Sequence, residues 1–185
     1  MIGSALRALP VMVALAGVGG DRLSLDVPHT AIQPHWVEVQ WPFPIDQWGT
    51  GRAFRCGVDA CGMTVTLYLR PKIGFCNCAK GVYDDAELDR VGDMALLGPQ
   101  FSGVSDGRDV TVGWMKGRSR VFSVSGAYQA PAAAAAIAFN DKCDVVVATV
   151  TADADLSRAS RQALQFLNSD VVLHWARAEL GSSGS

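Results

Sequence analysis

Four of the chain's five cysteines fall within "FRCGVDACGMTVTLYLRPKIGFCNC", Phe54 to Cys78, in the spacing C-x4-C-x14-C-x-C, and the fifth is Cys143. Such a set can do three kinds of chemistry. A thiolate zinc site needs four sulfurs converging tetrahedrally at ~2.3 Å from the metal, and Cys56, Cys61, Cys76 and Cys78 supply two knuckles that a hairpin could bring together. The spacing departs from the C-x2-C pairs of zinc ribbons, and a C-x-C pair also suits soft copper(I), so zinc or copper is the alternative to a chain without a cofactor. Disulfides compete. Cys56 and Cys61 flank a tight turn and can reach the ~5.5 Å Cα separation a bridge prefers, while Cys143 can meet Cys76 or Cys78. Two bridges plus one free thiol account for all five cysteines, and that leftover thiol is the place for reactive chemistry.

Compartment weighs between these readings, because oxidising surroundings favour disulfides and a reducing cytosol favours metal or thiol chemistry. The chain begins "MIGSALRALPVMVALAGVGG": Arg7, an apolar run from Ala8 to Val18 broken by Pro10, then small residues around Ala14-Leu15-Ala16. A charged start, an apolar core and an A-x-A-like site are the layout of a secretory signal over residues 1–20. The run is shorter than the ~20 residues needed to span a bilayer. The expected location is therefore the periplasm or the exterior, with no transmembrane span in the mature chain and disulfides as the leading reading. Residues 21–180 are expected to form a single domain, and the closing "GSSGS" over 181–185 reads as an expression linker.

Outside the cysteines the richest cluster is aromatic. "HWVEVQWPFPIDQWG" places Trp36, Trp41, Phe43 and Trp48 within thirteen residues, a candidate ligand surface or the lip of a core. "GVSDG", Gly103 to Gly107, matches G-x-S-x-G, but a nucleophile elbow needs a helix after the serine and "RDVTVGW" reads as a strand. No phosphate-binding glycine loop, C-x-x-C, C-x-x-C-H or H-E-x-x-H occurs in the 185 residues. Of the three histidines, His29 and His35 lie in the lead-in, and His174 beside Trp175 is expected to be partly buried and hydrogen-bonded.

The elements that must position these groups follow from periodicity. Trp36 to Trp41 alternates as a strand that Pro42 and Pro44 stop. "RAFRC" and "MTVTLYLR" read as strands around the turn "GVDACG", with Val65, Leu67 and Leu69 on a buried face and Thr64, Thr66 and Tyr68 on a wetter one. "GVYDDAELDRVGDMALLG" is a helix capped by Asp84 or Asp85 and ended by Gly98-Pro99, with Leu88, Val91, Met94 and Ala95 as its apolar stripe. Two hairpins follow, one turning at Lys116-Gly117 and one at Asn140-Asp141-Lys142, and between them "APAAAAAIAF" fits either a helical turn or a closely packed strand approach. Ser157 to Leu180 is helical, split at Asn168-Ser169-Asp170 with Ser169 as the second cap, and Leu164, Leu167, Val171, Trp175 and Ala178 form its stripe. Strands, one helix, more strands and terminal helices predict an α+β domain: a mainly antiparallel sheet of six or seven strands with one mid-chain helix and C-terminal helices packed on it.

Charge adds one constraint. With 16 Lys+Arg against 18 Asp+Glu, the chain lacks the cationic surplus that phosphate neutralisation requires, which argues against nucleic-acid binding. The charges are unevenly placed. Arg52, Arg55, Arg70, Lys72 and Lys80 face only Asp59 between residues 51 and 80, whereas seven acidic residues outnumber Arg90 and Arg108 between 81 and 109. These stretches either pair across the fold or present opposite faces to a partner. A second basic group, Lys116, Arg118 and Arg120, flanks the first hairpin turn and could hold an anion. The acidic residues Asp84, Asp85, Glu87, Asp89 and Asp93 lack the calcium-loop order and suit a helix start instead. Together these features predict an exported, disulfide-stabilised binding or accessory domain without catalytic machinery, its partner a protein or small molecule. The alternative is a thiolate metal or redox protein built on the cysteine segment.

Overall fold

The computed structural model describes residues 34–126 and 131–181, so the signal-like segment, His29 and the last four residues of the linker-like tail lie outside the described residues. Eight strands and four α-helices occur among the described residues. The strands are β1 (Trp36–Val39), β2 (Arg52–Cys56), β3 (Val65–Lys72), β4 (Gln100–Gly103), β5 (Arg108–Val112), β6 (Met115–Ser125), β7 (Ala133–Asp141) and β8 (Asp144–Ala152). The helices are the single turn α1 (Val58–Cys61), α2 (Asp85–Val91), α3 (Leu156–Leu167) and α4 (Asp170–Gly181), with a 3-10 turn at Met94–Leu96. The fold is α+β: one antiparallel sheet in the order β1-β2-β3-β8-β7-β6-β4. Strand β6 is long enough to carry β4 and β5 end to end on its outer edge, Gly103 opposite Phe122 and Arg108 opposite Ser119.

The central strands explain the packing. Residues 134–139 of β7 and 145–150 of β8 are buried without a break, as in a strand covered on both faces. On one face Leu67, Ile137, Phe139, Val146 and Val150 pack against Ala159, Ala163 and Leu167 of α3 and Val172, Ala176 and Leu180 of α4. On the other, Ala134, Ala136, Ala138, Val145 and Val147 meet Leu88 and Val91 of α2, together with Met94 and Val82. The alanine run is therefore strand, although alanine is the best helix former. Eight cross-strand partners in β6 hold it extended, and its methyl groups leave room for α2 to lie close to the sheet.

Several boundaries differ from the periodicity reading. The first hairpin turns at Gly113-Trp114, where Gly113 has φ +57°, because β6 already begins at Met115. Gly117 lies inside β6, where a Cβ would stand 2.0 Å from the Ala138 carbonyl oxygen. The second turn falls on Lys142-Cys143, one residue later than expected, with Lys142 at φ 54°. The segment "GVDACG" holds a helical turn, α1, and α2 stops at Gly92 rather than at Gly98-Pro99, the 3-10 turn carrying Met94 inward separately. Asp84 does cap α2, its side chain accepting from the Glu87 N–H at 2.7 Å. The C-terminal split occurs where expected, but α4 restarts the helical phase, so it buries Val172 and Ala176 while Val171 and Ala178 are exposed. Ser169 caps α4 through its carbonyl, which accepts from Val172 and Leu173, while its buried hydroxyl has no partner among the described residues. Gly181 is the last residue of α4.

Candidate functional site

Two disulfides are present among the described residues. Cys56–Cys61 spans α1 with Cα atoms 5.9 Å apart, and both residues are buried. The Cys61 carbonyl accepts from Arg158 at 2.9 Å and Gln162 at 3.2 Å, so this staple also seats α3. Cys78–Cys143, with Cα atoms 4.2 Å apart, ties the loop after β3 to the β7–β8 turn. Cys76 is the free thiol; it is buried, its N–H donates to the Cys143 carbonyl at 3.0 Å, and its S–H donates to the Lys142 carbonyl at 3.2 Å. Burial pushes this thiol up to about 11, and the carboxylates of Glu87 and Asp144 add to the effect. The structure does not bring Cys56, Cys61, Cys76 and Cys78 to one point: the two pairs sit beyond opposite ends of β3, which spans roughly 26 Å at the usual strand rise. Among the described residues no group of three or more His, Cys, Asp or Glu side chains is placed to share a metal ion.

The four candidate aromatics divide between the faces of the sheet. Trp36 stacks on Phe166 of α3, centroids 4.9 Å apart at 19°. On the α2 side, Trp41 and Phe43 pack edge-on around Tyr68, and Trp48 lies 4.5 Å from Phe75. His174 is exposed on α4. Ser105 is exposed in the connection between β4 and β5, its hydroxyl against the neighbouring Asp106 carbonyl, with a strand rather than a helix following.

Below Trp48 the strand alternation of β3 carries Tyr68, Arg70 and Lys72 to the α2 face, and there two cations are buried: Arg70 is 2% exposed and Lys72 3%. Arg70 donates to Asp93 through Nε at 3.0 Å and Nη2 at 2.6 Å, and through Nη1 to both Asp46 oxygens at 2.7 Å. Lys72 Nζ donates to the Val91 carbonyl at 2.6 Å and pairs with Asp93 at 2.8 Å. An ammonium has three donors, so one has no partner among the described residues. The Lys72 ammonium stands 5.6 Å from the Trp48 ring and 5.5 Å from Phe75, within cation–π reach of both. Burial lowers the Lys72 pKa against the opposing pull of Asp93. Burial also acts to raise the Asp46 carboxyl, but the Arg70 hydrogen bonds and the Trp48 N–H outweigh it and hold the group below its ordinary range.

These groups line an open basin of about 620 Å³, with Trp48 and Phe75 as walls, Arg70 and Lys72 in its floor and Arg90 on its rim. The lining carries Arg70, Lys72 and Arg90 against Asp46 and Asp93, and Glu87, outside the lining, pairs with Arg90, so the cluster is charge-balanced. Sequence reasoning placed the aromatic Trp48 here but missed Arg70, Lys72 and Asp93. The available signal was the alternation of two cations with Leu69 and Pro71 at the end of an otherwise apolar strand.

The uneven charge along the chain resolves into pairs across the fold. Asp93 neutralises Arg70 and Lys72, Glu87 holds Arg90 at 2.6 Å, Asp85 binds Arg118, and Asp89 binds Arg120 at 2.8 Å. Asp85, Asp89 and Asp93 are thus paired with strand cations and Glu87 with Arg90 of its own helix, which engages two of the three basic groups beside the first hairpin turn, Arg118 and Arg120. No protein family, curated protein or solved structure matches the chain.

Proposed function

We propose that this chain is an exported, disulfide-stapled binding or accessory domain rather than an enzyme, and that the basin on the α2 face is its binding surface for an anionic group carried on a flat ring. Two bridges in a domain of this size fit an oxidising compartment. No described helix is long and apolar enough to cross a membrane. The observation that carries the reading is Lys72: a desolvated ammonium with a spare donor, between two aromatic rings, at the floor of an open basin. Burying a cation is costly unless it is paired, and a perturbed cation in a cleft with convergent polar groups is a candidate functional group.

Isothermal titration calorimetry with benzoate and with inorganic phosphate tests this. Saturable benzoate binding that weakens about tenfold in Trp48→Ala, the worth of one stacking contact with a charged neighbour, supports the basin. No saturable binding of either anion, or benzoate binding that Trp48→Ala and Arg90→Gln leave unchanged, refutes it.

A further inference from the structure

A second cavity, of about 300 Å³, lies on the opposite face of the sheet, between the β5–β6 edge and α3. Its volume is at the lower end of the range for small-molecule sites. The register of β5 against β6 shows how it forms. Arg108 stands opposite Ser119 on the face that also carries Val110 and Val112, and those valines belong to the α3–α4 core. The floor is apolar and continuous with that core: Ile137 is 1% exposed and Ala135 2%, with Val121 and Leu164 half-buried beside them.

Two arginines from different elements reach the mouth of this cavity, Arg108 from β5 and Arg161 from α3. Neither side chain makes a hydrogen bond, ion pair or ring contact with any described residue. By contrast Arg52, Arg70, Arg90, Arg118 and Arg120 each hold a carboxylate. The acidic residues nearby form no ion pair with them: Asp109 is committed to Arg118 at 2.9 Å, and Asp106, which also lines the cavity, has no ion pair among the described residues. Arg55, Lys116 and Lys142 likewise form no ion pair among the described residues, but Arg108 and Arg161 lie together at the mouth of one apolar cleft. A guanidinium presents a planar fork matched to a carboxylate, and the greasy floor below supplies burial for a hydrocarbon.

We propose that this cleft binds a small amphipathic carboxylate free in solution, its head group held between Arg108 and Arg161 and its short alkyl chain laid on Val121, Ile137 and Leu164. The site is independent of the basin, which lies on the α2 face.

Calorimetry of the whole chain with octanoate, octanol and acetate tests the proposal. Octanoate is expected to bind saturably. Octanol, lacking the charge, and acetate, lacking the chain, are expected to bind at least about tenfold more weakly. Arg108→Gln and Arg161→Gln alter exposed side chains, so both variants should keep the parent melting temperature. Each is expected to weaken octanoate binding about tenfold, the size of one charge-assisted hydrogen bond, and the double variant should abolish it. Trp48→Ala is expected to leave octanoate binding unchanged even if it destroys benzoate binding, which separates this proposal from the basin. Absent octanoate binding, octanol binding as tight as octanoate, indifference to both arginine changes, or loss in Trp48→Ala would each overturn it.

Discussion

The Cys78–Cys143 bridge offers the cleanest measurement of what the cysteines do. It joins residues 65 apart in sequence, and Cys78 is exposed, so replacing both with alanine removes little packing. The effect should come mainly from the unfolded chain, which loses the loop the bridge closes. The loop-closure relation for a 65-residue span gives about −14.5 cal/mol/K, or about 4.3 kcal/mol at room temperature. The Cys56–Cys61 bridge, with a separation of 5, is worth only about 2 kcal/mol by the same relation. The assay is equilibrium urea unfolding of the Cys78→Ala/Cys143→Ala chain, with Cys76→Ala in both it and its reference so that no spare thiol can exchange. At a denaturant slope of ~2 kcal/mol/M the midpoint should fall by about 2 M. A loss below about 1 kcal/mol would refute the reasoning, because the bridge would then act on neither the unfolded chain nor the native loop.

Two further expectations concern the buried groups. With its thiol raised to about 11, Cys76 should carry roughly a hundredfold less thiolate at pH 8 than an ordinary cysteine, so iodoacetamide should label it no faster than the chain unfolds. A raised folded pKa contributes stability below the unfolded value that is lost as pH rises. Relative to Cys76→Ala, the parent should therefore lose about 2 kcal/mol between pH ~9 and ~11, and a flat difference across that window would refute the assignment. Asp93→Asn leaves Arg70 and Lys72 buried with one carboxylate fewer and should cost about 3 kcal/mol by thermal or urea unfolding, with partial recovery when Lys72→Met is added. A neutral Asp93→Asn would show that the buried cations are held by their other partners.

How much of this was legible from residues alone depended on whether local pattern or tertiary context decided the outcome. The α+β class, the helix cap at Asp84 and the break between α3 and α4 follow from short-range rules, and they agree with the structure. The accounting of two bridges and one thiol also agrees, since an odd number of cysteines leaves one over. The alanine run failed to declare itself because its strand state comes from β6 and β8 on either side, not from alanine's own preference. The α4 stripe was misplaced because a break at Asn168 and Ser169 resets the helical phase, and a single stripe drawn through both helices cannot see that. For Arg70 and Lys72 the sequence leaves open pairing across the fold or an exposed charged face, and the structure shows the first; nothing local identifies Asp93 as the partner that folds back over them. The same holds for Asp85, Asp89 and Asp93, whose partners lie on β3 and β6.

The two faces of the sheet are held by different forces, and this bears on where function sits. The α3–α4 face is apolar almost throughout and is anchored at one end by the Cys56–Cys61 turn. The α2 face is latched by carboxylates of a short helix onto cations of the strands, a helix whose seven residues could not stand alone. Beside it the loop after β3 has no regular structure, yet it carries Phe75, one wall of the basin. That loop is pinned by the Gly74 N–H on Asp144 at 2.6 Å, the Cys76 N–H on the Cys143 carbonyl, the Asn77 N–H on Glu87 at 2.8 Å and the Cys78–Cys143 bridge. Each of these contacts limits how far Phe75 can move from Trp48 and Lys72. The second half of the cysteine segment thus has a mechanical role: it holds an otherwise irregular loop against the sheet so that an aromatic wall stands beside a buried ammonium. The bridge is thus one of four contacts that keep Phe75 beside Lys72, and its reduction is expected to loosen that wall while the three hydrogen bonds remain.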